Sequence, residues 1–191
     1  ESVAAIKGCK LIGATDRAME SAEAFAAKYN CKAFDAVEAL LASPDIDVVS
    51  VCTPSGLHAQ FCIQAAEAGK HVITEKPMAL TVADCDRIIE AADRNNTKVC
   101  VISQLRFSHT VRSVKSAIDG GQLGKMLCGD IYMKYHRDRE YYLKSPWRGT
   151  WAMDGGGALM NQGVHGVDTI QYLMGPVKSV YANCRTLWHD I

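Results

Sequence analysis

The chain has 191 residues, of which 48% are hydrophobic and 22% charged, the composition of an ordinary globular protein. Its 21 lysines and arginines balance its 21 aspartates and glutamates, so no overall charge favours nucleic acid or a membrane as partner. No apolar run approaches the roughly 20 residues that a membrane span needs. The N-terminus also lacks a signal-peptide pattern, and we expect a cytoplasmic protein.

Eight cysteines are scattered along the chain without a CxxC pair. Most lie in apolar runs, which favours reduced thiols in the core over disulfides. The spacing of Cys52, His58 and Cys62 matches no zinc signature. We therefore expect no metal site.

Predicted strands and helices alternate through the first half of the chain. Residues 1–7 have the pattern of a helix end closed by Gly8. The predicted strands are 9–15, 32–34, 48–52, 70–74 and 99–103, and the predicted helices are 17–29, 35–41, 57–68 and 82–95, the last one capped by Thr81. This alternation predicts a parallel sheet wrapped by helices.

The alternation of predicted strands and helices ends near residue 104, where we place a domain boundary. A helix is predicted over 110–119, strands over 125–135 and 177–187, and a long loop over 135–151. Two long strands around a helix indicate a mixed or antiparallel sheet. We expect a dinucleotide-binding unit at 1–104 and an α/β unit at 105–191, each incomplete.

A glycine-led helix is predicted at 154–168, with the sequence DGGGALMNQGVHGVD. The glycines permit unusual backbone geometry and leave room for a ligand. Asn161 and His165 stand four residues apart and therefore share a helix face. Taken alone, the pattern favours a partly buried structural histidine.

Ligands of open parallel sheets bind beyond the carboxyl ends of the strands. The residues that follow predicted strands are Asp16, Thr53 with Pro54, Glu75 with Lys76 and Pro77, and residues 104–107.

Asp16 fits ribose binding and helix capping equally well. Arg17 next to it suits a 2'-phosphate, which leaves NAD and NADP both open. The charge of Lys76 can polarise a substrate oxygen, although a surface ion pair with Glu75 also fits. For His58 a capping or packing role is favoured.

Several segments together resemble one enzyme family. They are VCTPSGLHAQFCIQAAEAGK, HVITEKPMALTVADCDRII, SQLRF and WRGTWAMDGGGALMNQGVHGVDTIQYLMG. In order and spacing they are similar to the glucose-fructose oxidoreductase, inositol dehydrogenase and rhizopine catabolism (Gfo/Idh/MocA) family.

The resemblance implies a Rossmann-type doubly wound parallel sheet, here without its first strand and glycine loop. Part of an α/β domain with an open mixed or antiparallel sheet would follow, and would form homo-oligomer contacts. The implied activity is NAD(P)-dependent hydride transfer to or from a CH–OH carbon of a sugar, sugar acid or cyclitol.

The resemblance also assigns site residues. The catalytic residues would be Lys76, His165 and Asn161, the last at a position where many members carry aspartate. The implied cofactor-binding residues are Asp16, Arg17, Thr53, Pro54, His58, Glu75, Lys76, Pro77, Gln104, Trp147 and Arg148. The implied substrate residues are Arg106, Tyr135, Arg137, Asn161 and His165.

The residue types suit alcohol oxidation. We expect His165 to take the hydroxyl proton while Lys76 stabilises the oxygen charge. A nearby lysine charge lowers the histidine pKa from about 6.5. Asn161, being neutral, does not oppose that effect. The pH limb could therefore be set by the lysine or by a less basic histidine.

The loop at 134–148 carries five lysines or arginines against two acids, with aromatic residues between them. Such a loop can stack its aromatic side chains on a sugar and direct Arg137 and Arg139 at a carboxylate or phosphate. The aromatic residues are Tyr135, Tyr141, Tyr142 and Trp147. An ordinary solvated loop fits the pattern equally well, and the absence of a wider basic surplus argues against nucleic acid.

The family's glycine-rich phosphate loop is absent from the sequence. Either about 25–30 residues precede this chain, given that a whole member is about two domains of typical size, or the protein truly lacks the loop. We expect the former. Two further functions remain open: a non-catalytic nucleotide or sugar sensor, and NAD-assisted glycoside cleavage or elimination.

Overall fold

A computed structural model describes residues 3–186 of the chain. No helix in this range is long and apolar enough to cross a membrane. Short 3-10 turns lie at Val3–Ala5, Ser55–Leu57 and Gln104–Phe107, and a wide π-helical turn lies at Leu159–Gly163. The predicted helix end before Gly8 is thus a 3-10 turn, and its first two residues lie outside the described range.

Strands and helices alternate through the first hundred residues, as the sequence predicts. In chain order they are β1 (Gly13–Ala14), α1 (Met19–Tyr29), β2 (Lys32–Ala33), α2 (Val37–Leu41), β3 (Val48–Val51), α3 (His58–Glu67), β4 (His71–Thr74), α4 (Val82–Arg94) and β5 (Val99–Val101). The later helices are α5 (His109–Asp119), α6 (Arg139–Leu143) and α7 (Val164–Met174).

The strands form two open parallel sheets. β1 pairs with β2 through two residues each, and β3, β4 and β5 pair in that order. In the doubly wound strand order 3-2-1-4-5-6, the first sheet corresponds to strands 3 and 2 and the second to strands 4, 5 and 6. The predicted α/β class with open parallel sheets is confirmed.

Clusters of buried apolar side chains hold the sheets. One joins β3, β4, α3 and α4 through Val51, Val72, Cys62 and Ile88, all at most 4% exposed. Another contains Phe34, Leu40 and Ile46, with Ile12, which precedes β1, and Val49, on β3, packed against it. A small cluster of Ala66, Ala91 and Ala92 packs against Val99 of β5. Burying this apolar surface is the main force that orients the strands and their carboxyl ends.

Side-chain caps fix where α4 and α5 begin. The Thr81 hydroxyl accepts a hydrogen bond from the amide of Asp84 at 3.1 Å, which confirms the predicted cap of α4. Ser108 caps α5 in the same way, accepting from the amide of Val111 at 3.3 Å.

The second part of the chain differs from the sequence prediction. Neither 125–135 nor 177–186 is a strand, and Leu187 lies outside the described residues. A strand requires a hydrogen-bonded neighbour, and in the described range these segments form no ladder. They instead expose large side chains, with Leu127 85% and Tyr181 93% exposed.

A short helix, α6, interrupts the predicted loop. Asp138 begins it by accepting a hydrogen bond from the amide of Tyr141 at 2.9 Å, a normal N-cap arrangement that the loop prediction overlooked.

All eight cysteines are free. Cys62 is fully buried, but Cys9, Cys52, Cys100, Cys128 and Cys184 are exposed. The prediction that most thiols lie in the core is therefore wrong. Of these five, only Cys100 lies in a strand, the edge strand β5, and the other four lie outside regular elements, where solvent reaches them.

Candidate active site

The carboxyl ends of β3 and β4 meet at one edge of the three-stranded sheet. The amide of Glu75 donates to the carbonyl of Val51 at 3.1 Å, which extends the pairing past the end of β4. Glu75, Lys76 and Pro77 then form a turn whose Lys76–Pro77 bond is cis. The turn lies beside the loop that follows β3, as expected for a parallel sheet.

His58 contacts both of these loops. The residue is 1% exposed at the start of α3. Its Nδ1 lies 2.7 Å from the carbonyl oxygen of Pro77, and its Nε2 lies 2.9 Å from that of Thr53. Both ring nitrogens thus face main-chain oxygens, and the predicted packing role fits this geometry. Its cofactor contact stays a prediction.

The glycine loop before α7 packs directly on the loop that follows β3. The amide of Gly56 donates to the carbonyl of Met153 at 2.8 Å, and a Cβ on Gly56 would lie 2.5 Å from the Ala152 oxygen. The three glycines at 155–157 all have positive φ, at +75°, +158° and +56°, a backbone that other residues rarely adopt.

One of these glycines permits close packing instead of leaving room for a ligand. A Cβ on Gly155 would lie 2.5 Å from the Leu80 side chain. The interpretation of all three glycines as ligand space is therefore wrong for Gly155. For Gly157 no atom lies within 4 Å of the equivalent position.

The loops bring Lys76 against the turn that precedes α7. Its Nζ donates to the main-chain oxygen of Asn161 at 2.5 Å and to Oδ1 of the same residue at 3.4 Å. Asn161 lies in the π-helical turn, not in the regular α-helix that the sequence predicts. Such wide turns often occur at functional sites.

Lys76 and His165 each have a lowered pKa. Burial is the main cause of the lower pKa of Lys76, opposed by the charges of Glu75 and Asp154. Burial also lowers the pKa of His165 most, followed by the charge of Lys76, while Asp168 and Glu75 oppose both effects. The two groups are therefore close enough to influence each other, as the sequence predicts.

Asp154 is a buried carboxylate that the sequence analysis did not assign to the site. It is 2% exposed, and its Oδ2 accepts from the amide of Gly149 at 2.8 Å. Within residues 3–186 its Oδ1 has no hydrogen-bond partner. Buried carboxylates usually have their oxygens paired, so this charge close to Lys76 is a feature of the site. The aspartate before the glycine run was the available signal.

Arg106 and Asp168 connect the 3-10 turn after β5 to α7. The Nε of Arg106 donates to Oδ2 of Asp168 at 2.9 Å, and its second nitrogen donates to Oδ1 at 2.5 Å. The guanidinium also lies 5.1 Å from the centre of the Tyr172 ring. This bidentate pair orients α7, and the predicted substrate contact of Arg106 remains a prediction.

Tyr141, on α6, is predicted from the sequence only as one of several loop aromatics that could stack on a sugar, without a role of its own. Its hydroxyl lies 3.4 Å from Nδ2 of Asn161. The guanidinium groups of Arg148 and Arg137 lie 4.3 and 5.1 Å from the centre of its ring. Arg148 also lies 5.5 Å from the ring of Trp147. The loop therefore reaches the catalytic turn through Tyr141.

Other predicted residues lie at the edges of this site. Asp16 accepts from the amide of Ala18 at 2.9 Å, so it makes the capping-type contact, while Arg17 beside it is exposed. Gln104, Tyr135 and Arg139 are exposed. Their binding roles, like those of Pro54 and Trp147, remain predictions.

Comparison with known proteins places this site in a family. Residues 2–103 match the model of the Gfo/Idh/MocA oxidoreductase family, described as an NAD-binding Rossmann fold, and residues 111–191 match the model of the Gfo/Idh/MocA C-terminal domain. The chain therefore belongs to the Gfo/Idh/MocA oxidoreductase family, and its first part is an NAD-binding Rossmann fold.

Several characterised relatives are similar over most of this chain. The structure of the WlbA dehydrogenase from Bordetella pertussis, in complex with NADH and UDP-GlcNAcA, is 38% identical with a TM-score of 0.86, over 95% of this chain and 52% of that one. Levoglucosan dehydrogenase of Pseudarthrobacter phenanthrenivorans is 35% identical over 77% of this chain and 38% of its own length.

D-glucoside 3-dehydrogenase of Escherichia coli is 31% identical over 91% of this chain and 50% of its own length. The chain thus spans about half, or less, of the length of these relatives.

Proposed function

We propose that this protein is an NAD-dependent dehydrogenase that oxidises a secondary alcohol of a sugar-derived substrate. The observation that carries the proposal is the meeting of Lys76, from the end of β4, with the turn that holds Asn161 and leads into His165. A cation and a titratable imidazole with lowered pKa values share one site, as alcohol oxidation requires.

His165 acts as the base that takes the hydroxyl proton. Its lowered pKa keeps the imidazole neutral, and so able to accept a proton, at neutral pH. Lys76, whose Nζ donates to Asn161, stabilises the charge that develops on the substrate oxygen. Asn161 holds Lys76 in place through two oxygens.

The strand ends offer groups that fit a dinucleotide. The Oγ1 of Thr53 is buried and has no hydrogen-bond partner within residues 3–186, so a polar group of the cofactor would satisfy it. Thr53, Pro54 and the Glu75–Pro77 turn would hold the nicotinamide end. When bound, NAD supplies the hydride acceptor.

We further propose that the substrate carries an anionic group, such as the carboxylate or diphosphate of a nucleotide-activated sugar acid. The similarity to a dehydrogenase solved with UDP-GlcNAcA supports this class. The guanidinium groups of Arg137 and Arg148 flank Tyr141 beside the catalytic turn, and arginine pairs well with carboxylate and phosphate oxygens.

Turnover on a defined panel tests the function. The full-length protein is mixed with NAD and, in turn, with UDP-GlcNAcA, levoglucosan and a D-glucoside, and NADH formation is followed by absorbance. We expect turnover, with the highest kcat/KM for the anionic sugar nucleotide. Tight NADH binding by fluorescence with no turnover on any of the three would instead support the sensor.

The division into units at residue 104 and the homo-oligomer also remain our proposals. The family matches at 2–103 and 111–191 support the boundary. The exposed apolar side chains of 125–135 and 177–186 support a further protein surface covering them, which we propose to be a second copy. Light scattering on the full-length protein measures this: a monomeric mass would contradict the oligomer.

A further inference from the structure

The orientation of the Asn161 amide follows from its neighbours. An ammonium group can only donate, so the atom of Asn161 that faces Lys76 must be the oxygen. With the oxygen on that side, the Nε2 of Gln162 also donates to Oδ1 of Asn161 at 3.4 Å. The amide nitrogen of Asn161 therefore points the other way.

On that side lies the hydroxyl of Tyr141, 3.4 Å from Nδ2. The amide nitrogen can only donate, so the Tyr141 oxygen accepts and keeps its own hydrogen for another partner. In the part of the chain that the structure describes, no acceptor for that hydrogen is recorded. Catalytic hydrogen bonds are often this long before a substrate binds, and shorten in the complex.

The ring of Tyr141 is held in place by its surroundings. Arg148 and Arg137 lie over it, and the ring of Tyr142 meets it edge-on at 5.2 Å between centroids. Asp138 fixes the start of α6 below it. A hydroxyl on a ring held in this way, in a cationic setting, suits an oxygen-rich or anionic ligand.

We propose that the Tyr141 hydroxyl donates a hydrogen bond to an oxygen of the bound sugar, and that Asn161 sets this direction. The hydrogen bonds run from Lys76 and Gln162 into Asn161, from Asn161 to Tyr141, and from Tyr141 to the substrate. A carboxylate at 161 would reverse the middle step, because it would accept the tyrosine hydrogen itself. This inference rests on the proposed function and adds a substrate-specifying residue to it.

The test compares Tyr141→Phe in two backgrounds. In the otherwise unchanged protein, loss of one hydrogen bond should raise KM for UDP-GlcNAcA by about tenfold, with a smaller effect on kcat. In the Asn161→Asp background the same change should raise KM less than about twofold, because the hydroxyl already points at the carboxylate. Tyr29→Phe, at the end of α1 and outside the proposed site, is the matched control and should change neither KM nor kcat.

Equal KM increases in both backgrounds, or none in either, would overturn the proposal, because a purely structural tyrosine is indifferent to the charge at 161. A nuclear magnetic resonance experiment, which needs no turnover, distinguishes failure of this proposal from failure of the proposed function. The side-chain amide signal of Asn161, assigned by its loss in Asn161→Asp, should shift in Tyr141→Phe. If the protein turns over no substrate, the proposed function fails. The hydrogen bond from Asn161 to Tyr141 is then tested by the Asn161 amide signal alone: a shift in Tyr141→Phe supports it, and an unchanged signal overturns it.

Discussion

The side-chain ammonium of Lys76 donates a hydrogen bond of 2.5 Å to the main-chain oxygen of Asn161, 85 residues further along the chain. This contact connects the end of a parallel strand to the turn that leads into α7. It places the Lys76 side chain next to the glycine-led helix that carries His165. The two proposed catalytic side chains therefore belong to one site.

The charge of Lys76 should be visible in the titration of His165. Burial and that charge both lower the pKa of His165, so in the native protein its midpoint should lie below about 6.5. Lys76→Met removes the second cause, and the midpoint should rise, although burial keeps it from rising fully. Imidazole chemical shifts measure both midpoints. Lys125→Met at an exposed site is the control, and an equal or lower midpoint in Lys76→Met would contradict the coupling.

Asp154 should affect the alkaline limb of the pH–activity profile, which reports the titration of Lys76. Its negative charge raises the pKa of Lys76, so Asp154→Asn should lower that pKa further. Lys76 would then lose its proton at a lower pH, and activity on the alkaline side should fall earlier. The alkaline limb of kcat/KM reports the shift. Asp130→Asn, at an exposed position, should leave the limb in place, and movement to higher pH in Asp154→Asn would refute the assignment.

His58 should matter for both stability and catalysis. His58→Phe removes the ring nitrogens that face the carbonyl oxygens of Pro77 and Thr53. A neutral imidazole donates to one of these oxygens, so the change leaves one buried acceptor without its donor, at a cost of about 1–3 kcal/mol. Urea unfolding should show this loss of stability. Activity should fall as well, because the Pro77 turn carries Lys76. His109→Phe, at an exposed histidine, serves as control, and native stability in His58→Phe would show that the two contacts contribute little.

Gly56 should tolerate no side chain. A Cβ there would meet the main chain of Ala152 and Met153 at 2.5 and 2.9 Å, which cannot move aside easily. Gly56→Ala should therefore destabilise the protein by about 1–3 kcal/mol, measured by denaturant unfolding. In Gly129→Ala the nearest atoms are the flexible end of Met174, so little loss is expected. Similar values for the two variants would mean that the loops can separate freely.

The sequence predicts the parts of this protein that are fixed locally. Alternating apolar runs predict β3, β4 and α4, and the Thr81 cap is predicted from residue type alone. The turn around Lys76 follows from strand-end logic, and its pairing with the His165 helix followed only from the family resemblance. The local features could be predicted because their informative residues lie close together in sequence, whereas the contact of Lys76 with Asn161 joins residues 85 positions apart.

Long-range contacts account for what the sequence could not provide. Nothing near Tyr141 indicates that its hydroxyl meets Asn161, and Asp154 resembles an ordinary loop aspartate until its burial is known. Similarly, the pattern of 125–135 is that of a strand, but pairing depends on a neighbour that local sequence does not specify.

The central claim is that Lys76 and His165 act together in hydride transfer, and NADH formation in variants tests it most directly. Lys76→Met and His165→Ala should each lower kcat by about 10²–10⁴-fold, and the double variant should lose little more, because the residues act as a unit. Lys125→Met and His109→Phe control for charge and folding. Turnover near that of the unchanged protein in either single variant would contradict the account.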